Sequence, residues 1–281
     1  MIINPYVISI LFFLMFKHQI YFLILYLMFA IIIPILCIPF ALNKNVFNRY
    51  FEDVFPKYIE QSNFSKYISK LFFSCLGVKT RFLKLDTNHL KLNNKFIDKG
   101  FILANHRSNT DFFFDPLISE SSFIGRHLAT LSVLFYGLLV IIENKYISID
   151  RNKSRNNIFN IIINHLNTNV NSNNKYTNRI LFWPEGTRRK HNSINNIEES
   201  KSLLKPGLLK SIYDYKKYPV QILITKNKEK VSDEKKLYAN YGIELISTIS
   251  PSIHPKDYET FDDFYNKISE IWFYQFNFTM S

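Results

Sequence analysis

The chain has 281 residues, 47% of them hydrophobic and 16% aromatic, with 35 Lys+Arg against 23 Asp+Glu and a formal net charge of +12. A chain this apolar offsets its ordering entropy by burial, which excludes disorder as its main state, and 7 Gly with 10 Pro exclude collagen-like and low-complexity readings. Cys37 and Cys75 form no CxxC pair and no disulfide framework, so a Cys-rich zinc module is excluded too, while the positive charge suits a polyanion or an anionic membrane.

The mean hydropathy of −0.06 hides an uneven distribution. Across residues 1–43 the only formally charged side chain is Lys17, and 19–42 contains none. The run IYFLILYLMFAIIIPILCIPFAL from Ile20 reaches the roughly 20 residues that a spanning helix needs. Pro34 and Pro39 would kink or end such a helix near its far side. A signal peptide would need a basic start, a shorter apolar core and a small-residue cleavage site, and none is evident. Residues 7–16 are too short to span alone and read either as a re-entrant or interfacial arm or as an extension of one long tilted helix. We therefore expect an N-terminal membrane-embedded helical anchor over 1–43 and a separate body over 44–281. Lys44 and Arg49 follow the apolar run while 1–16 carries no Lys or Arg, so the positive-inside rule puts the body in the cytosol.

Residues 43–70 mix charges with aromatics, as an amphipathic segment would, lying either on a membrane interface or against the domain. Beyond it, 78–85 (VKTRFLKL) alternates like a half-buried strand, and 100–104 (GFILA) is a short apolar run that reads as a buried one. The apolar stretch 128–142 has 15 residues and is expected to be buried or to dip into one leaflet. Further strands are predicted at 146–149, 179–183, 220–225 and 243–249, and helices at 156–166, 206–215 and 261–276. This alternation predicts an α/β fold, a mostly parallel central sheet flanked by helices, with ligands at the carboxyl ends of its strands. Asn is abundant across 152–196, including NTNVNSNN at 167–174, and marks loops between these elements; no aromatics interleave that run to stack bases, and no nucleic-acid motif stands behind the charge.

Two motifs follow predicted strands. NHRSNTD at 105–111 comes directly after GFILA. His106 and Asp111 are five apart, which is not a clean helix face, but they can meet if His106 sits on the strand-to-helix turn and Asp111 in the first helical turn. The carboxylate would then hold one ring nitrogen and leave the other basic, a general base for a hydroxyl that needs no protein nucleophile. FWPEGTRRK at 182–190 comes directly after RILFW; Gly186 permits a tight turn, and Arg188 beside exposed backbone N–H groups suits a phosphate. Taken singly, each has a bland alternative: a surface His near a helix-capping Asp, and a charged β-turn.

Together they are more specific. HxxxxD after one strand and PEGTR after a later one resemble the glycerolipid acyltransferases, the 1-acylglycerol-3-phosphate acyltransferase family and its lysophospholipid-acylating relatives, over residues 43–281. YISIDRNK at 146–153 matches that family's FIDR block, carrying over Asp150 and Arg151, although Ser148 stands at the usual aromatic position and Lys145 at the usual glycine. KPGLLKSIYD at 205–214 and YPVQILIT at 218–225 match its later blocks, the second without the commoner internal proline.

The resemblance implies that His106 deprotonates the free hydroxyl of a lysophospholipid, which attacks an acyl-CoA thioester, while Asp111 orients His106. It implies that Arg151, Glu185, Gly186, Thr187 and Arg188 hold the glycerol phosphate, Glu185 by orienting an Arg or bonding a hydroxyl. Arg107 is either a further phosphate contact or a solvated side chain. No metal and no resident cofactor are implied; acyl-CoA is a co-substrate and membrane lipids are the partners. The implied location is an integral membrane protein of the endoplasmic reticulum or another endomembrane, its catalytic body facing the cytosol. The acceptor is lysophosphatidic acid or, alternatively, lysophosphatidylinositol, lysocardiolipin or glycerol 3-phosphate. A non-catalytic lipid-binding protein is a third reading, against which the His106–Asp111 pair argues.

Overall fold

Three adjacent, apolar strands form the centre of the molecule: β2 (Gly100–Ala104), β5 (Arg179–Phe182) and β6 (Val220–Lys226). All five residues of β2, all four of β5 and the first six of β6 are buried, the pattern of parallel strands covered on both faces. The computed structural model describes residues 16–17, 19–21, 24, 64–84, 92–93, 95–126, 136, 140, 143–150, 154–168, 178–233 and 238–281. Within them, β1 (Lys79–Phe82), β3 (Ser122–Arg126), β4 (Tyr146–Ile149) and β9 (Glu244–Ile249) complete a seven-stranded sheet of order β1-β9-β6-β2-β5-β3-β4. Every neighbouring pair is parallel except β6 and β9, so β1 and β9 run against the other five. A two-stranded ribbon, β7 (Ser232–Asp233) with β8 (Tyr238–Ala239), stands apart from the sheet.

Helices cover both faces. On one, α1 (Phe64–Cys75) packs on α2 (Asp111–Ser119), with Phe72 stacked on Phe113 at 5.2 Å and Phe73 edge-on to Phe114 at 5.5 Å. On the other lie α3 (Arg155–Thr168), α5 (Pro206–Tyr215) and the long α7 (Phe261–Met280), which bury Ile162, Leu166, Leu209, Ile212, Phe264, Ile268 and Trp272 together with Phe101, Ile180 and Ile222 of the sheet. The short α4 (Ile197–Leu203) is capped by Asn196, whose side chain accepts the Glu199 N–H at 2.8 Å, and it packs on α7. The last helix, α6 (Lys228–Val231), is a single turn directly after β6.

Most predicted elements are where the periodicity puts them, with some departures. β1 is an edge strand whose four residues are all exposed, not a half-buried one. The edge leaves it one neighbour, β9, and little cover. β3 has no counterpart among the predicted strands, because SSFIGR mixes small, polar and apolar residues without a period. Its Gly125 is needed: a Cβ there would lie 2.6 Å from the Tyr146 hydroxyl on the neighbouring strand. α1 resolves the choice for the end of the 43–70 segment in favour of packing on the domain, with Ile68, Phe72 and Phe73 buried and Tyr67 and Leu71 exposed. Of the stretch 128–142 only Tyr136 and Val140 are described, both helical and buried. Of the expected anchor, Phe16, Lys17, Gln19, Ile20, Tyr21 and Ile24 are described, all helical, and the rest of 1–43 lies outside the described residues. Among the described residues no helix is long and apolar enough to cross a membrane.

Candidate active site

The carboxyl ends of β6, β2 and β5, side by side in the sheet, each feed one buried or half-buried ionisable side chain into the same space. β2 leads into Asn105 and His106, β5 into Trp183 and Glu185, and β6 into Lys228. Asn105 fastens two of these ends: its amide donates to the Thr225 carbonyl at 3.0 Å and its carbonyl oxygen accepts the Thr225 N–H at 2.9 Å.

The predicted pair forms. His106 Nδ1 lies 2.7 Å from Asp111 Oδ2, with Asp111 in the first turn of α2 and fully buried. The same carboxylate oxygen accepts the N–H groups of Arg107 at 2.6 Å and Ser108 at 3.1 Å, so it also folds the strand-to-helix turn that presents His106. Burial pushes the Asp111 carboxyl up, but the Lys228 ammonium and the His106 hydrogen bond outweigh it and hold the group below the usual carboxylate range. An ionised Asp111 can only accept, so Nδ1 donates, and in the neutral ring Nε2 carries the free lone pair. The His106 side chain keeps 13% of its surface exposed.

Trp183 stacks on the imidazole, ring centroids 5.1 Å apart and 29° between planes, and its indole N–H donates to Asp115 Oδ2 at 2.9 Å. Asp115 lies four residues after Asp111, on the same face of α2, and is also fully buried. Lys228, with no exposed surface, donates to both Asp115 oxygens at 3.0 and 2.8 Å and to the Asn105 carbonyl at 2.6 Å. Burial pushes Asp115 up to about 6, which the Lys228 ammonium only partly counters.

The second motif meets the first through Glu185. Its Oε2 accepts the backbone N–H of His106 at 3.1 Å, and the Arg189 N–H donates back to the His106 carbonyl at 2.8 Å. Glu185 is 1% exposed, and burial pushes its carboxyl up to about 7. Its observed partner is therefore the His106 backbone, in place of the Arg or hydroxyl expected from the sequence. Gly186 takes φ +69°, the left-handed turn that favours glycine, and its N–H donates to the Trp183 carbonyl at 3.0 Å. Thr187 and Arg188 follow, exposed on that turn.

Two expectations fare differently. Arg107 is neither a phosphate contact nor solvated: it is 2% exposed, and its guanidinium bonds Glu229 Oε2 at 2.6 Å, the His191 carbonyl at 2.6 Å and Asn192 Oδ1 at 3.0 Å. Those three bonds tie the first motif to the loop after β5 and to α6. Arg151 lies outside the described residues; its neighbour Asp150 is exposed after β4, three strands from β2, roughly 14 Å at about 4.8 Å per strand. Asp115, Trp183 and Lys228 were not singled out from the sequence. Asp115 had a readable signal in its four-residue offset from Asp111, whereas Lys228 sits in the run KNKEK, which reads as solvated charge. Among the described residues no group of three or more His, Cys, Asp or Glu side chains could hold a metal ion.

The protein is thus an α/β domain with a His–Asp pair at the carboxyl edge of its sheet, braced by a buried glutamate from the neighbouring strand. It has the fold of a solved glycerophosphate acyltransferase. That structure is the 1-acyl-sn-glycerophosphate (LPA) acyltransferase PlsC from Thermotoga maritima, similar over 91% of this chain and 92% of that one, with a TM-score of 0.56 at 14% sequence identity. No family model matches the chain, and no curated protein matches it.

Proposed function

We propose that the protein is an acyltransferase that moves a fatty acyl group from acyl-CoA to the free hydroxyl of lysophosphatidic acid, giving phosphatidic acid. The observation that carries this reading is the His106–Asp111 contact at 2.7 Å, placed by its backbone against Glu185 of the second motif. Its similarity in fold to PlsC adds support.

In the reaction, Asp111 holds the Nδ1–H and Nε2 accepts the proton of the acceptor hydroxyl. The alkoxide oxygen attacks the thioester carbonyl, the C–S bond breaks, and the proton from Nε2 leaves with the CoA thiol. Nothing is oxidised and no protein–acyl intermediate forms. Arg188, with Thr187 and the Gly186 turn, would face the acceptor phosphate, joined by Arg151. Acyl-CoA is a co-substrate and no resident cofactor takes part. The site works on a lipid, so membrane association through 1–43 and a cytosolic face of an endomembrane belong to the same reading.

The test is a transfer assay with labelled acyl-CoAs and a panel of acceptors: lysophosphatidic acid, lysophosphatidylinositol, lysocardiolipin and glycerol 3-phosphate. Lysophosphatidic acid should be the preferred acceptor, and His106→Ala should stay folded while transfer falls by about 100- to 10,000-fold, the range for losing a general base. Substantial transfer by a folded His106→Ala protein would overturn the mechanism.

A further inference from the structure

Among the described residues Lys228 contacts three groups around His106: the Asn105 carbonyl, Asp115 and Asp111. Its Nζ donates to the carbonyl of Asn105, the residue that hands the chain to His106, at 2.6 Å. It grips Asp115, which anchors the indole stacked on the His106 face. It also stands 3.5 Å from Asp111 Oδ1, the oxygen of the orienting carboxylate that accepts no hydrogen bond.

We propose that Lys228 is a positioning residue of this site, setting the His106 ring through Asp111 on its edge and through Asp115 and Trp183 on its face. The inference rests on the acyl-transfer reading and extends it to a residue beyond both motifs.

The local backbone is built for this. Asn227 closes β6 in the left-handed region at φ 71°, a conformation Asn tolerates, and its amide donates to the Glu244 carbonyl at 2.9 Å. The chain therefore turns sharply, and Lys228 points back under the carboxyl edge of the sheet instead of into solvent. The next residue, Glu229, takes the Arg107 guanidinium, so α6 is held to the first motif at two consecutive side chains.

Charge explains why a lysine is needed. Asp111 and Asp115 are both fully buried, four residues apart on one helix face, and two anions so placed oppose each other's ionisation. The other charged or titratable groups facing the pair are His106, Glu185, Lys228 and, through Glu185, Arg189. Lys228 is the one cation among them in contact with both aspartates. Lys228 pulls both carboxyls down: Asp111, which also takes the His106 and Ser108 hydrogen bonds, ends below the usual carboxylate range, whereas at Asp115 burial prevails and the carboxyl ends at about 6.

A purely structural role, with Lys228 merely neutralising Asp115, makes a different prediction. The double variant D115N/K228M removes both charges, keeps an acceptor for the Trp183 N–H, and exchanges a buried ion pair for a neutral pair, which proteins often accept without loss of stability. If Lys228 positions the site, this protein melts near the wild-type temperature while kcat falls by roughly 100-fold, with KM for acyl-CoA and lysophospholipid changed by less than about threefold. A folded double variant with wild-type kcat would overturn the proposal.

A measurement on the unmodified protein does not depend on how the variants fold. The Asp111 carboxyl carbon, labelled with 13C and assigned by comparison with D111N, should stay ionised to below the ordinary carboxylate range; titration above that range refutes the role. If His106→Ala retains transfer, the acyl-transfer mechanism falls. If His106→Ala is inactive and D115N/K228M is fully active, the positioning role alone falls.

Discussion

Replacing Glu185 by Gln should make the protein more stable at alkaline pH and leave it unchanged at acid pH. In the folded state burial pushes this carboxyl from 4.5 up to about 7, against weaker opposing pulls from the His106 N–H, Lys228 and Arg189. A carboxyl with a raised folded-state pKa binds its proton more tightly when folded, so its favourable contribution is complete below about pH 4.5 and is lost as pH rises through about 7. At about 1.4 kcal/mol per pKa unit, that loss approaches roughly 3 kcal/mol by pH 8. Gln mimics the protonated carboxyl, keeps an oxygen for the His106 N–H, and has no proton to lose. Unfolding by urea at several pH values, read from the fluorescence of the chain's two tryptophans, gives the difference directly. The E185Q minus wild-type stability should be near zero at pH 4.5 and climb towards about 3 kcal/mol at pH 8. Parallel stability curves for the two proteins across that range would refute the assignment of Glu185 as a buried carboxyl.

His165 should act in the opposite direction. It bonds the Ser122 hydroxyl at 3.0 Å, and burial pushes its imidazole from 6.5 down to about 4. A histidine held neutral this way contributes stability that is present above pH 6.5 and lost as pH falls towards 4, so His165→Gln should flatten the acid side of the stability curve by up to about 3 kcal/mol; an unaltered acid limb in urea melts counts against it. Arg188→Ala should raise KM for the phosphorylated acceptor by roughly tenfold or more, the worth of a charge-assisted hydrogen bond, with kcat largely kept; an unchanged KM would remove Arg188 from phosphate binding.

The central strands were legible because a strand buried on both faces must be continuously apolar, and GFILA and VQILIT have no helical alternative at that length. The His106–Asp111 pair was legible for a different reason: five residues is the distance from the end of a strand across one tight turn to the first turn of a helix. The reversal of β9 was not legible, since a strand's residues look alike whichever way it runs. Nor was Glu185's partner, because a buried carboxylate bonding a backbone N–H leaves no mark on the partner's side chain. Lys228 shows the limit most clearly. In KNKEK all three lysines look solvated, and only the left-handed turn at Asn227 separates the one that is buried.

The bonds that build this site are long in sequence. Glu185 reaches His106 across 79 residues, the His191 carbonyl reaches Arg107 across 84, Glu229 reaches Arg107 across 122, and Lys228 reaches Asn105 across 123. Such contacts form only after large loops have closed, and loop closure slows folding. A growing chain that has emerged only as far as Asp111 holds both members of the pair and their local turn, but none of these distant braces. The pair is therefore fully aimed only late in the protein's synthesis, after α6 has docked, and whatever chemistry it performs waits until the body is nearly made.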